Sequence, residues 1–536
     1  MRSPKKKRSR RNKSTKSDRI KRRISSKKLT DGGKSKHGLI RQHKREHVST
    51  HNNTSSGLKE HKPEDAKFSF YKYLDVLFSD SYASYSQEPG IIEEENVYIY
   101  VIGDLEGDSN ILVRWLLDIS FIMFDDDDEI KWIADDNVYI VQCGDQLDNG
   151  YGHTEKAKTF PFLNRRTEFD VEYFNHDLNL ILLTDYLSII SNNRFLSILG
   201  NHEILNIMGD YRYVNLSNFL TDFEKDNVKL FYEGFNLITN RRRTGKKYNS
   251  EFLGPKIEKI TNYMIERRKA LTKQGIIGKI LSRRNFIIKI NTLILSHAGL
   301  TYEYIDETQS IENIIKNTNI QITIDNNWAN IPEYNKFEFS NMYELVDSES
   351  SFVVDGNKFT DIFKTIITQN QKSLIWNRIY NPKDLSSPSL SNIDKLYDYL
   401  RKSDPDKYFI IALGHNGMDM STKFCKCEPV CKCDSTYTKG KNIQFVMTDV
   451  GRGNINYPYI EATMFHFNDV NSPNDVVTYK FPTIDNKEKD NHIDDTTFLS
   501  SFRDNKPINT FFSDNIQKYV KSSKKMNLLT LFNIDL

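Results

Sequence analysis

The chain is 536 residues long and carries 75 Lys+Arg against 72 Asp+Glu, a formal net charge of +3. That balance is a cancellation, because residues 1–62 hold 22 basic and four acidic side chains (+18) and the remaining residues carry −15. No run approaches the ~18 apolar residues of a membrane span, no apolar segment follows the basic N-terminus as a secretory leader requires, and five cysteines do not make a disulfide scaffold. The expectation is a soluble, intracellular protein without a membrane partner.

Residues 1–62 contain no aromatic residue, and so few apolar ones that they cannot offset their ordering entropy; a disordered basic tail is expected. Within it Pro4–Arg11 (PKKKRSRR) reads as a nuclear-localisation element or a nucleic-acid patch. The lack of interleaved aromatics predicts non-specific binding of nucleic acid or another polyanion. The expected compartment is accordingly the nucleus, or the virion or host cytoplasm if the chain is viral.

From residue 63 the pattern turns globular, and one body is expected to run to residue 480. In chain order, Val97–Ile102 reads as a strand and Ile111–Phe121 as a helix. Asp125–Asp128 with Glu129 form an acidic hairpin tip, and Val138–Val141 reads as a strand. Val171–Ser191 has apolar residues at three- and four-residue spacing and predicts a helix, followed by a strand at Phe195–Leu199. A helical insertion spans about 214–285, with a solvated basic stretch at 241–247; strands follow at Thr292–Leu295 and Tyr408–Leu413. Residues 481–536 read as a loose C-terminal extension. Alternating strands and helices predict a layered α/β fold.

The chemistry gathers where the strands end. Val97–Ile102 runs into GDLEGD, with Asp104 and Glu106; Val138–Val141 leads to GDQLDNG, with Asp145 and Asp148. Phe195–Leu199 runs into GNHE, with Asn201 and His202; Thr292–Leu295 into SHAG, with His297; Tyr408–Leu413 into GHN, with His415. The carboxyl edge of an α/β sheet is where ligands bind, and the neighbouring glycines allow close approach of segments. Asp104 and Glu106, two apart in an extended segment, are expected on one side. Asp104, Glu106, Asp145, Asn201, His297 and His415 offer oxygen and imidazole donors without thiols, which suits hard or borderline divalent ions. Six donors are enough for two ions ~4 Å apart.

The order GDxxG, GDxxD, GNHE, HAG, GH resembles the phosphoprotein phosphatase branch of the calcineurin-like metallophosphoesterases, and is most similar to the Shewanella-like protein phosphatases in Gly200–Val214 (GNHEILNIMGDYRYV) and Arg267–Leu300. The likeness runs from Val97 to Asp449. It implies a four-layer sandwich of two central β-sheets flanked by helices, and a two-metal phosphomonoester hydrolase acting on serine, threonine or tyrosine phosphoproteins or small phosphoesters through a metal-bridging hydroxide. It implies Asp104 on one ion, Asp145 bridging, and Asn201, His297 and His415 on the other. It makes His202 the proton donor to the leaving group, with Asp148 orienting its ring. Manganese is the favoured metal, with iron, zinc or magnesium as alternatives.

Besides a minor HAG in place of the family's HGG, the chain departs from that pattern twice. Glu106 stands where the family has a His, and Asn149 where it has a phosphate-clamping Arg; Arg212 and Arg378 are the candidates to replace the clamp. These departures keep an impaired phosphatase that serves as a scaffold among the alternatives, beside a dinucleoside polyphosphate or nucleotide hydrolase; Gly417 argues against a nuclease, which carries GHxH. Cys425, Cys427, Cys431 and Cys433 offer a structural zinc site, and Cys143 reads as core. Oligomeric state is not legible.

Overall fold

The apolar runs become strands because they are rich in β-branched and aromatic residues and bury both faces. This computed structural model describes residues 68–79, 81–82, 88–107, 109–127, 129–148, 177–208, 214, 266–267, 269–272, 275–323, 365–366, 370–381, 387–415, 423–427, 431–434, 444–448, 459–482 and 517–518. The expected tail (1–62), Asn149, Arg212, the basic stretch 241–247 and most of the C-terminal extension lie outside them. All described residues belong to one compact unit, Asp65–Leu536.

Two sheets form the centre. The first has five strands, with β2 (Val97–Ile102), β5 (Val138–Gln142) and β6 (Phe195–Ser197) parallel to one another. The antiparallel pair β13 (Tyr459–Phe467) and β14 (Asp475–Pro482) extends it beyond β2. The second has seven strands in the order β1 (Ile91–Ile92), β7 (Ile287–Ile290), β8 (Leu293–Ser296), β9 (Ile410–Leu413), β12 (Phe445–Met447), β10 (Lys423–Cys427) and β11 (Cys431–Asp434). Within it β8, β9 and β12 are parallel.

Alternation along the strands decides what each sheet faces. Val97, Ile99 and Val101 of β2 join Leu293 and Leu295 of β8 and Ile410 and Ala412 of β9 in one buried cluster between the sheets. Ile102, Ile140, Ile294, Ile411 and Leu413 turn instead into a larger cluster shared with the helices. Those helices are α1 (Phe70–Leu77), α2 (Ser109–Asp118), α3 (Asp177–Ile190), α4 (Asn201–Met208), α5 (Ile276–Leu281), α6 (Ile311–Thr323) and α7 (Ser387–Ser403). Helix α3 packs beside β6 and α6 beside β7, so both sheets carry helical cover. The fold is mixed α/β with two multi-stranded sheets. Among the described residues no helix is long and apolar enough to cross a membrane.

Helix α3, within the stretch expected to be helical, is buried from Asp177 through Ser188, polar residues included, so it is a core helix. Its Asp185 is held by Tyr73 Oη, Tyr82 Oη and Arg283 Nη1 at 2.5–3.0 Å. The acidic segment is a hairpin tip as expected, between β3 (Ile122–Phe124) and β4 (Ile130–Trp132), with Asp125 Oδ1 accepting the Asp127 and Glu129 N–H groups. At the cysteines, register sets Cys425 opposite Cys433 and Cys427 opposite Cys431; Cys425 is buried and disulfide-bonded. A sulfur held in a disulfide offers no thiolate, so the zinc expected there finds no support. Cys143 is core, as expected, and burial pushes its thiol pKa up.

Candidate metal centre

Each expected strand does end in its polar residue at the carboxyl edge, and the two sheets bring those edges together. The turns differ from the extended geometry expected at Asp104 and Glu106. Leu105 and Glu106 donate their N–H groups to the Asp145 carbonyl at 3.2 and 2.9 Å, and Gly107 donates to Gln146 at 2.8 Å. Residues 104–107 therefore form a tight turn laid on the Asp145 loop, with Glu106 in the left-handed region (φ 43°). Two glycines make the approach of the segments possible. A Cβ at Gly200 would lie 2.2 Å from Asp145 Oδ1, and one at Gly414 would lie 2.3 Å from Asp104 Oδ1.

Four polar side chains converge beyond these turns. One donor atom each from Asp145, His297 and His415 lie within 4.8 Å of one another, and all three residues are buried. The outward amide atom of Asn201 lies 3.2 Å from Asp145 Oδ2, 2.8 Å from His297 Nε2 and 2.8 Å from His415 Nδ1. His297 Nδ1 faces the Cys143 carbonyl at 2.6 Å; a proton placed there leaves Nε2 a lone pair directed into the cluster. With its amide nitrogen turned to the cluster Asn201 donates to Asp145, His297 and His415, and with its oxygen turned there it would join them as a ligand for a divalent cation. The donor set, imidazole nitrogen with carboxylate and amide oxygen, fits such an ion. Asp104 stands at the edge of this cluster, Oδ1 3.8 Å from His297 Nδ1, and accepts the His415 N–H at 3.3–3.4 Å. Glu106 is half-buried, and its charge acts on His202.

Electrostatics sort the two catalytic candidates from the ligands. Burial opposes ionisation of Asp145, but His297 and His202 outweigh it and hold the carboxyl well below the usual range. Burial likewise opposes charge on His202, yet Asp145 and Asp148 prevail and push it up to about 10. His202 Nδ1 faces Asp148 Oδ2 at 3.1 Å, and Nε2 lies 3.7 Å from Asp145 Oδ2. His415 moves the other way: burial, Arg378 and His297 lower it well below its ordinary value, so it stays a neutral donor. Arg378 is exposed and donates Nη1 to the His415 carbonyl, and Trp376 sets its ring edge-on to His415 at 5.7 Å.

Some of the machinery carries no expectation from sequence. Glu203, the last residue of GNHE, accepts four backbone N–H groups, from Asp145, Gln146, Leu147 and Gly200 at 2.7–2.9 Å, and so fixes the loop that bears Asp145. Its place in the GNHE block is the signal that marks it. Arg267, Asp177 and Asn206 surround Asp148; Asn206 and Arg267 lie in the two blocks of resemblance, but no motif gives any of the three a role.

No family model and no curated protein matches the chain. Among solved structures it is similar to a point mutant of a cold-active protein tyrosine phosphatase, at 14% identity over 75% of this chain and 84% of that chain, with a TM-score of 0.41. It is similar also to the cold-active protein-tyrosine phosphatase of a psychrophilic Shewanella species, at 14% identity over 74% and 83%, with a TM-score of 0.39. A protein serine/threonine phosphatase from Saccharomyces cerevisiae follows at 12% identity over 77% and 88%, with a TM-score of 0.33.

Proposed function

We propose that this chain is a two-metal phosphomonoester hydrolase of the calcineurin-like type, acting on phosphorylated serine, threonine or tyrosine in proteins. The observation that carries the reading is the convergence of Asp145, Asn201, His297 and His415, four side chains able to ligate a cation, beside a histidine oriented by Asp148. Asn201, His297 and His415 would hold one cation, Asp104 and Glu106 the other, with Asp145 between them. Bound there, the cations supply Lewis acidity, activating water and neutralising charge on the phosphoryl oxygens. Glu106 in place of an imidazole adds negative charge and favours manganese or magnesium.

The chain's own groups do the rest. His202, its ring oriented by Asp148, would protonate the departing alkoxide. Arg378, exposed and tethered to the His415 carbonyl, would bind phosphoryl oxygens through its other nitrogens, the task for which Asn149 lacks charge. The test is leaving-group dependence. His202→Ala should lower kcat about 10²–10⁴-fold on phenyl phosphate and far less on p-nitrophenyl phosphate, whose leaving group needs little protonation. Equal losses on both esters would remove His202 from that role.

A further inference from the structure

Behind His202 lies a closed ring of buried polar groups. Asp148 Oδ2 accepts Asn206 Nδ2 at 2.8 Å and faces His202 Nδ1 at 3.1 Å, while Oδ1 faces Arg267 Nη2 at 3.3 Å. Arg267 Nε donates to Asn206 Oδ1 at 2.8 Å. Its Nη1 and Nη2 donate to the two oxygens of Asp177 at 3.0 and 2.6 Å. Asp177 Oδ2 also accepts the Asp148 N–H at 3.0 Å, and Asn206 Nδ2 donates to the His202 carbonyl at 2.9 Å.

We propose that Arg267 is a positioning residue for proton transfer by His202: its guanidinium locks Asp148 in the rotamer that meets His202 Nδ1 and so keeps Nε2 turned toward the leaving group. The inference rests on the reading of His202 as proton donor. Neutralising a buried Asp177 would need only a point charge. Arg267 instead uses all three nitrogens on three side chains from three places: the loop after β5, the first residue of α3, and α4. Asp148 needs such a hold, because its backbone sits at φ 65°, the left-handed region, which a non-glycine residue keeps only when its surroundings impose it. Without the fork, Asn206 alone would fix the carboxylate, and the imidazole would lose a single defined orientation. A ring turned by a few tenths of an ångström transfers a proton poorly while cations and substrate still bind.

Arg267→Lys keeps the charge and removes the fork. Expected is a loss of about tenfold in kcat on phenyl phosphate and less than twofold on p-nitrophenyl phosphate, with KM and bound metal unchanged. In a His202→Ala background the same substitution should change neither rate, because its effect passes through that ring. Equal losses on the two esters, or a further loss in the His202→Ala background, would overturn the proposal and leave Arg267 a purely structural residue. A second readout does not need turnover. In protein labelled with ¹⁵N-histidine, the Nδ1–H signal that disappears in His202→Ala should shift or broaden in Arg267→Lys; an unchanged signal also overturns the proposal. A wild-type protein that hydrolyses neither ester, yet whose signal responds to Arg267→Lys, would refute the hydrolase reading and uphold the brace. Should Arg267→Lys not fold, Asp177→Asn loosens the guanidinium from its far side and is expected to give the same split between esters at smaller size.

Discussion

Two buried polar regions lie within a few residues of each other and obey opposite rules. In the ring around Asp148, donors meet acceptors: guanidinium on carboxylate, amide on carboxylate, backbone N–H on carboxylate. Around Asp145 the pairing is incomplete: His415 Nε2 has no hydrogen-bond partner among the described residues, and the Asn201 amide donates to Asp145, His297 and His415 in only one of its two orientations. Buried polar groups in a folded protein are nearly always paired, and an unpaired one costs about 1–3 kcal/mol. The first region therefore accounts for itself as scaffold, and the second leaves a buried nitrogen that a cation would satisfy. Ligand sites show themselves by what their neighbours fail to satisfy.

The largest effect on stability is expected where the scaffold is converted into a mismatch. Glu203→Gln keeps the shape but turns one oxygen into a donor facing two backbone N–H groups. A loss of about 2–6 kcal/mol should appear as a lower urea midpoint. A midpoint equal to wild type would mean that the Asp145 loop does not depend on Glu203.

Glu88 sharpens the comparison through pH. It is buried, accepts the Ser197 N–H at 3.2 Å, and burial, opposed by Arg284 and Arg283, pushes it up from 4.5 to about 7. The folded state then binds the proton more tightly than the unfolded state. That contribution is fully present below pH 4.5 and is lost as pH rises to about 7, a span of at most about 3 kcal/mol. Glu88→Gln should remove the slope, so the variant gains on wild type between about pH 5 and 7.5. A constant difference across that window would contradict the burial argument.

The smallest expected effect falls on the exposed side. Arg378→Ala should raise KM for p-nitrophenyl phosphate about tenfold with kcat within about threefold, the mark of lost ground-state binding. An unchanged KM would pass the clamp to Arg212.

Much of this was legible in the sequence, and the gaps have physical causes. Strands β2, β5, β6, β8 and β9 announce themselves as apolar runs ending in glycine and a polar residue, and that is also why Asp104, Asp145, Asn201, His297 and His415 could be picked out. Strand β13 did not, because Glu461, Thr463 and His466 interrupt it and leave no continuous apolar run. Arg267 stands beside Arg268 with nothing local to tell them apart. Its partners, Asp177 and Asp148, are 90 and 119 residues away, a distance that no periodicity spans. Glu106 was placed by assuming an extended chain, whereas hydrogen bonds to the Asp145 loop curl it into a turn.

The central claim is that Asp145 and its neighbours are cation ligands. Manganese titrated into the metal-free full-length chain, with bound metal counted by elemental analysis after gel filtration, addresses it without any assumption about substrate. Two manganese ions per wild-type chain, and fewer than one for Asp145→Asn, is the predicted result. Equal manganese on the two proteins, or none on the wild type, would contradict the account.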